Sequence, residues 1–384
     1  MSVPADDVVI VGAGPAGALA ALALARQGAR VRLVDRARFP RAKLCGDSLN
    51  PGALAVLGHH VAVAGLALLG QPVRGMRLSG PGGVAVHGRY PDGVAGLSIT
   101  RARLDAWLVN EACRAGVAFD DGVAVRSVDV GGDGATGVTV GTPGGDRHHP
   151  ARVVIGADGR GSVVARQFGL AHAPVAPRRW ALGAYAEGVT GVDPACGEMH
   201  VREGGYLGIA PVLGGWTNVC LVVPYARAQH AVRAPWEAIL AAAAADPMLA
   251  PRFTRATAAS APMVLGPMAL DVVTPGHPGV LLAGDAAGFI DPMTGDGMRL
   301  ALQGGVFAAG VTSEVLAGRL TRVAAVRVLA EQRRAAFGAK WRFNRSLRAM
   351  VGLDPALRAA TLAARAWTAP FEAIVRYAAD IPAA

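Results

Sequence analysis

Lysine is nearly absent from this chain: of its 38 basic residues, two, Lys43 and Lys340, are lysines. Ala, Gly, Val and Arg dominate the sequence, so the arginine excess is read as a bias of the whole chain and not as a functional signal. Cysteine is scarce too. Cys45, Cys113, Cys196 and Cys220 are far apart and form no C-x-x-C pair, which excludes a zinc ribbon and a disulfide framework. A reducing, cytoplasmic compartment is expected. Metal ligation is not expected from the doublets His59-His60 and His148-His149, because neighbouring side chains point to different faces. No Ser/His/Asp triad and no paired carboxylates stand out, which removes the common hydrolytic chemistries. The apolar run Val8–Ala25 approaches the ~20 residues of a membrane span. Asp6 and Asp7 precede it where a signal peptide carries positive charge, and Gly12, Gly14, Pro15 and Gly17 break it. The chain is therefore expected to be soluble.

What is present bounds the answer further. A length of 384 residues suggests two domains, or one domain with a large insertion. The formal net charge is +10. Much of the excess lies in Arg319, Arg322, Arg327, Arg333, Arg334, Lys340, Arg342, Arg345 and Arg348, opposed by Glu331. The run reads as the solvated face of amphipathic helices, with peripheral contact to an acidic membrane surface as the alternative. No nucleic-acid module accompanies it, so a nucleic-acid partner is not expected. The oligomeric state is not readable.

Hydrophobic patterning predicts a buried strand at Val8–Val11, a helix to about Gln27 stopped by Gly28, and a strand at Val31–Val34 ending on Asp35, a β-α-β unit. Residues 39–51 read as loop, Leu104–Ala115 as helix, 117–140 as hairpins and Val153–Ile155 as a buried strand. Beyond about Pro174 alternating strands dominate: Trp180–Tyr185, Glu198–Val201, Tyr206–Ala210 and Asn218–Val223, with a helix at Pro235–Ala244. A strand at Val280–Ala283 follows, and helices run from Met298. The expected fold is α/β: a Rossmann-type domain (residues 1–174 and 266–320) with an inserted, mostly antiparallel sheet domain (175–265) and a C-terminal helical region (321–384).

Three glycine-centred motifs carry the chemistry. In Gly12-Ala13-Gly14-Pro15-Ala16-Gly17 the first glycine allows the tight turn. The second lets backbone approach a pyrophosphate, the third permits close helix–strand packing, and the helix N-terminus faces the phosphates. Asp35, at the end of the next strand, is placed to bond ribose hydroxyls and would repel a 2′-phosphate. The second motif is Gly156-Ala157-Asp158-Gly159. The third is Gly284-Asp285-Ala286-Ala287-Gly288, continued by Asp291, Pro292 and Gly295-Asp296-Gly297-Met298; its glycines expose backbone N–H groups at a helix start, a setting for an anion. No second strand–G-x-G-x-x-G–helix unit stands out, so no separate nicotinamide domain is expected.

In this order and spacing the motifs resemble the para-hydroxybenzoate hydroxylase-like flavoproteins, which include FAD monooxygenases and geranylgeranyl reductases. The resemblance spans about the first 310 residues. It implies that FAD binds through Gly12 to Gly17 and Asp35, that Asp158-Gly159 lies between flavin and nicotinamide route, and that Asp285 holds the ribityl chain. It places Pro292 and Gly295 to Met298 near the flavin ring, Arg101 against FAD, and Val125 beside adenine. It also brings Arg36, Lys43, Cys45 and Gly46 to the cofactor. The segment Pro40-Arg41-Ala42-Lys43-Leu44-Cys45-Gly46-Asp47 is similar to the Lys-x-Cys-Gly segment of geranylgeranyl reductase-like proteins. Gly205 to Pro211 is similar to their Tyr-x-Trp-x-Phe-Pro segment, with Gly208 in place of the tryptophan. The Trp-x-Trp-x-Ile-Pro segment of the related halogenases is absent. Cys45 and Tyr206 are candidates for a catalytic role, with packing as the competing role for each; Tyr185 and Trp216 are candidates for a substrate pocket. The resemblance implies an oxidoreductase, with NAD(P)H as transient reductant. Oxygen insertion through a flavin C4a-hydroperoxide into an aromatic, polyketide-like or lipid-like small molecule is placed first. Reduction of an isoprenoid C=C bond is the alternative.

Overall fold

A computed structural model describes residues 6–172, 179–289, 292–351, 355, 359–360, 362–364 and 367–381. Its first layer is a sheet in the order Gly276–His277, Val280–Leu282, Gly145–Gly156, Asp6–Val11, Val31–Asp35 and Ala118–Asp121. From Val280–Leu282 onward neighbours run parallel: Val8 pairs with both Val153 and Val31. Strands such as VVIV at Val8–Val11 suit this position because both faces of a parallel sheet are covered. Helices Pro15–Arg26, Arg101–Arg114 and Gly297–Leu316 cover one face. Leu19, Leu22 and Leu24 on the first are fully buried, each contributing about 1.5–3 kcal/mol. The other face carries the hairpin of Ala124–Gly131 and Gly134–Thr142 and the short helix Val163–Gln167.

The second sheet is mostly antiparallel, in the order Thr257–Ala258, Arg179–Glu187, Thr217–Pro224, Gly205–Pro211, Gly197–Arg202, Gly75–Ser79 and Ala85–Arg89. The fold is thus a Rossmann-type architecture with a parallel sheet, a largely antiparallel second sheet and C-terminal helices. Two strands of that second sheet, Gly75–Ser79 and Ala85–Arg89, come from a part of the sequence that carries no strand expectation. Gly75–Ser79 joins in parallel, Met76 opposite Gly197. These segments are short and glycine-interrupted, and their partners lie far along the chain.

Register sorts this sheet into two faces. Tyr185, Asn218, Cys220, Gly208, Met199 and Val201 share one, by pairing across three strand junctions. Leu182, Leu207, Ile209, Val219 and Leu221 share the other, which is packed by helices Tyr225–Ala231 and Pro235–Ala244. Past helix Gly297–Leu316 the chain continues as Arg322–Val351 and Ala369–Ala378. Val375 fills the space above Gly88, where an added Cβ would lie 2.4 Å from it. No described helix is long and apolar enough to cross a membrane.

The basic run is not uniformly a solvated face. Arg327, Arg334, Arg342 and Arg345 are exposed. Arg333 and Lys340 are buried, and with Phe337 and Asn344 they form one stripe of helix Arg322–Val351. Burial pulls Arg333 down to about 10; its guanidinium donates to Ala287 O at 2.8 Å and lies over Phe337.

Candidate cofactor and substrate site

The N-terminal glycine turn is built on steric necessity. Gly12 has φ +99°, and a Cβ there would stand 2.5 Å from Ala157 O. A Cβ on Gly17 would stand 1.9 Å from Gly12 O. Gly14 is different: its missing Cβ faces open space bounded by Arg41 Nη2 at 3.6 Å and Arg101 Nη2 at 3.8 Å. Helix Pro15–Arg26 starts at this point, with Pro15 at its first position and no side chain capping it. Free amides and two guanidinium groups therefore converge where a pyrophosphate needs them.

Asp35 ends its strand in place. Its Oδ2 accepts from Ala13 N at 2.8 Å and its Oδ1 from Ala37 N at 2.8 Å. Arg101 forms a two-pronged pair with Asp105, at 2.9 and 2.7 Å, and Arg41 reaches the same carboxylate at 3.1 Å. Burial opposes the charge of Arg101, but Asp105 more than offsets it and raises its pKa.

The other motifs close around this turn. Asp158 accepts from Val163 N at 2.7 Å, fixing the start of helix Val163–Gln167; burial raises its carboxyl. Lys43 Nζ stands 3.5 Å from the position of a Gly159 Cβ. Burial and the neighbouring Arg101 charge lower the Lys43 pKa, with Asp285 opposing. Gly284–Ala287 forms a 3-10 turn after strand Val280–Leu282. Pro292–Thr294 forms another, and Gly295, at φ +67°, leads to the helix that begins at Gly297. Asp291 lies outside the described residues.

Asp296 is 1% exposed and held by Arg299 at 3.0 Å, Asn50 at 3.1 Å and Lys340 at 3.4 Å. Lys340 and Arg299 also reach Asp380, at 3.3 and 3.1 Å. The side chain of Asp296 thus clamps the C-terminal segment to the loop before helix Gly297–Leu316.

The loop after Lys43 holds the densest polar cluster. Asp47 is 2% exposed and has φ +52°. Its Oδ2 accepts from Tyr185 Oη at 2.6 Å and Asn218 Nδ2 at 2.8 Å; Asn218 Nδ2 also donates to Cys45 O at 2.9 Å. Burial pushes the Asp47 carboxyl up to about 6 despite these bonds. Burial also raises the thiols of Cys45 and Cys220, the second to about 12, so neither is an activated thiolate.

An apolar cavity of about 220 Å³ adjoins this cluster. It runs between Gly46 and Met293–Gly295 at one side, Met199, Gly208 and Asn218 of the second sheet, and Leu347, Met350 and Val375 of the C-terminal helices. Ser98 Oγ and Thr294 Oγ1, both in lining residues, are buried and have no partner among the described residues.

Several residues named from the sequence stand apart from this cavity. Tyr206 is buried in a cluster with Leu44, Val222, Met268 and Met293. Val125 pairs with Val140 in the hairpin, Arg36 is exposed, and Met298 packs against the main core. Trp216 stacks on Tyr185 with ring centroids 5.9 Å apart. Sequence reasoning gave no role to Arg41, Asp105, Asp47 or Asn218. The first and third lie inside the quoted Pro40–Asp47 segment, Asp105 lies four residues after Arg101 in the segment that carries it, and Asn218 is found only through its contacts.

A strand–glycine turn–helix unit with a carboxylate on the second strand and paired guanidinium groups at the turn defines a Rossmann-type dinucleotide site, and the residues present fit FAD. The model of the FAD binding domain family matches residues 5–340, and the chain belongs to that family. Menaquinone reductase of Mycobacterium tuberculosis is 36% identical over 180 residues, 45% of this chain and 40% of that protein. The chain thus spans about two fifths of that relative's length. Digeranylgeranylglycerophospholipid reductase 1 of Methanopyrus kandleri is 29% identical over 315 residues, 81% of each chain. A flavoprotein/dehydrogenase structure from Cytophaga hutchinsonii superposes with a TM-score of 0.83 at 23% identity, covering 97% of this chain and 92% of that one.

Proposed function

We propose that the chain is an FAD-dependent oxidoreductase that saturates a C=C bond in an apolar, isoprenoid-like molecule. The observation that carries this reading is the apolar cavity, which ends on Gly46 and on Met293–Gly295. Its few polar groups suit a molecule with a long apolar body and one or two hydrogen-bonding atoms. The names of the two curated relatives, both reductases, support the same choice. Bound FAD supplies hydride transfer; NAD(P)H or an external reductase supplies the electrons. The Gly12–Gly17 turn, Arg41 and Arg101 would hold the pyrophosphate, Asp35 the ribose, and Asp285 the ribityl chain. The apolar walls exclude water and orient the substrate. Exposed Arg327, Arg334, Arg342 and Arg345 fit contact with an acidic membrane surface, where such a substrate would reside.

Oxygen insertion, placed first from the sequence, becomes the second reading, because the cavity lining is mostly apolar and the two relatives named above are reductases. The test incubates the FAD-loaded protein with NAD(P)H, or with dithionite as reductant without oxygen, and polyprenyl substrates. Product mass and O₂ uptake are recorded. A gain of two hydrogens without O₂ consumption is expected; a gain of one oxygen overturns the reading.

A further inference from the structure

We propose that Asp47 is the proton-holding residue of this site, handing one proton to the molecule in the apolar cavity and being reloaded from solvent through Tyr185. The proposal rests on the reductase reading above and adds to it the source of the proton.

The placement of Asp47 is the first ground. Gly46 and Asn218, which flank it through the chain and through a hydrogen bond, both line the cavity. On the other side lies Arg101, whose guanidinium borders the Gly14 turn. The carboxyl thus lies behind the cavity wall formed by Gly46 and Asn218 and is also close to Arg101. The second ground is an asymmetry between its two oxygens. Oδ2 accepts two hydrogen bonds, whereas Oδ1 is buried and makes no full hydrogen bond among the described residues, with the Arg101 backbone N–H as the nearby donor to the carboxyl. An ionised carboxylate with one under-bonded, buried oxygen is costly; a proton on Oδ1 removes the charge and supplies an O–H to donate. The third ground is a route outward. Tyr185 is half-buried and stacks on Trp216, which is 40% exposed and donates to Glu187 Oε1 at 2.9 Å.

The titratable and charged groups facing Asp47 are Arg101, Cys45, Tyr185 and Cys220. Both thiols are held neutral by burial, and the charge of Arg101 is engaged by Asp105. Burial therefore dominates and leaves the carboxyl at about 6, close to the ideal for exchange near neutral pH.

Saturating a C=C bond takes one hydride, which the reduced cofactor supplies with its electron pair, and one proton. The Asp47 O–H bond breaks and a C–H bond forms at the second carbon. Reloading runs through Oδ2: the Tyr185 O–H passes its proton to that oxygen as the hydroxyl takes one from water, so no tyrosinate is left, and a half-turn of the carboxyl brings the proton back to the side of the cavity. No net charge stays in the site.

The test uses the FAD-loaded chain and D47N. Asn tolerates the left-handed backbone at this position, and its amide oxygen can still accept from Tyr185. Carbon-13 NMR of labelled aspartate, read without turnover, should show one carboxyl titrating near pH 6 in the parent protein and missing in D47N. D47N should retain FAD and its reduction by dithionite, while kcat for C=C saturation falls about 100-fold or more and its limb near pH 6 disappears. Y185F should keep the carboxyl signal and slow steady turnover more than the first turnover. An aspartate spectrum with no such carboxyl, or a hydrogenated product formed by D47N at the parent rate, overturns the proposal while leaving the reductase reading intact. A product that gains oxygen overturns the reductase reading itself, whatever Asp47 does.

Discussion

Glu198 and Asp47 are both buried carboxyls held against the second sheet, at 3% and 2% exposure, yet they titrate at opposite ends of the carboxyl range. Glu198 pairs in register with Ile209 and so lies on the helix-packed face. Arg252 grips it at 2.6 and 2.8 Å, and His200 Nε2 lies 3.0 Å away. Burial alone would raise its pKa; these partners bring it down to about 2. Asp47 meets the opposite face, where Tyr185 and Asn218 offer neutral donors, and it rises to about 6. Asp47 is the more deeply desolvated of the two, and the direct guanidinium partner of Glu198 widens the difference. On one face of the sheet the charges hold a strand to the turn Ala250–Arg252. The face toward the cavity keeps a carboxyl whose proton can come and go.

Removing the counter-charge should break the contrast most severely. R252A leaves Glu198 buried without its guanidinium and is expected to cost about 3–5 kcal/mol at pH 7. A urea midpoint that does not move would remove the argument that Arg252 stabilises this face. The sign with pH follows from the direction of the shift. Glu198, depressed in the folded state, contributes stability that is full above its ordinary value of 4.5 and is lost as pH falls toward 2.

Asp47 should behave in the reverse sense and more weakly. Its folded pKa of about 6 lies above the ordinary 3.8, so the folded state holds the proton more tightly than the unfolded chain. The stability this confers is full below about 3.8 and lost as pH rises through 6, a change of about 3 kcal/mol over that window. D47N should flatten the dependence between pH 4 and 6, and it should be more stable than the parent at pH 8. Equal slopes of melting temperature against pH in the two proteins would contradict this.

The same two carboxyls show what a linear sequence reveals. The glycine turn was legible because backbone geometry demands it: at Gly12, with its positive φ and an obstructing Ala157 carbonyl, no other residue fits. Helix Pro235–Ala244 was legible from its own pattern and proline start. Asp47 stood inside a recognisable segment, but its partners lie 138 and 171 residues away, so nothing local announced its environment. Strands Gly75–Ser79 and Ala85–Arg89 were lost for the same reason: their place depends on Gly197–Arg202. Arg333 and Lys340 were assigned to a solvated face because charged residues are seldom fully buried. The spacing of Arg333, Phe337, Lys340 and Asn344 marks one helical face, but only the loops packed on it show that this face is inside.

The smallest change should sharpen the contrast. The Tyr185 hydroxyl bonds to the charged form of Asp47 and holds its pKa down against burial. Y185F removes that donor and leaves Asn218 in place, so the Asp47 carboxyl should titrate above its present value of about 6. Stability at pH 8 should fall by about 1.5–3 kcal/mol, the cost of one bond to a buried charged group, while at pH 4, where the carboxyl is neutral, the loss should be smaller. His200 stands in the corresponding place beside Glu198, but there Arg252 supplies the compensating charge. H200Q should therefore leave Glu198 ionised at neutral pH. If Y185F lowers the Asp47 titration instead, the hydroxyl serves the protonated carboxyl, and neutral donors could not be what separates the two faces.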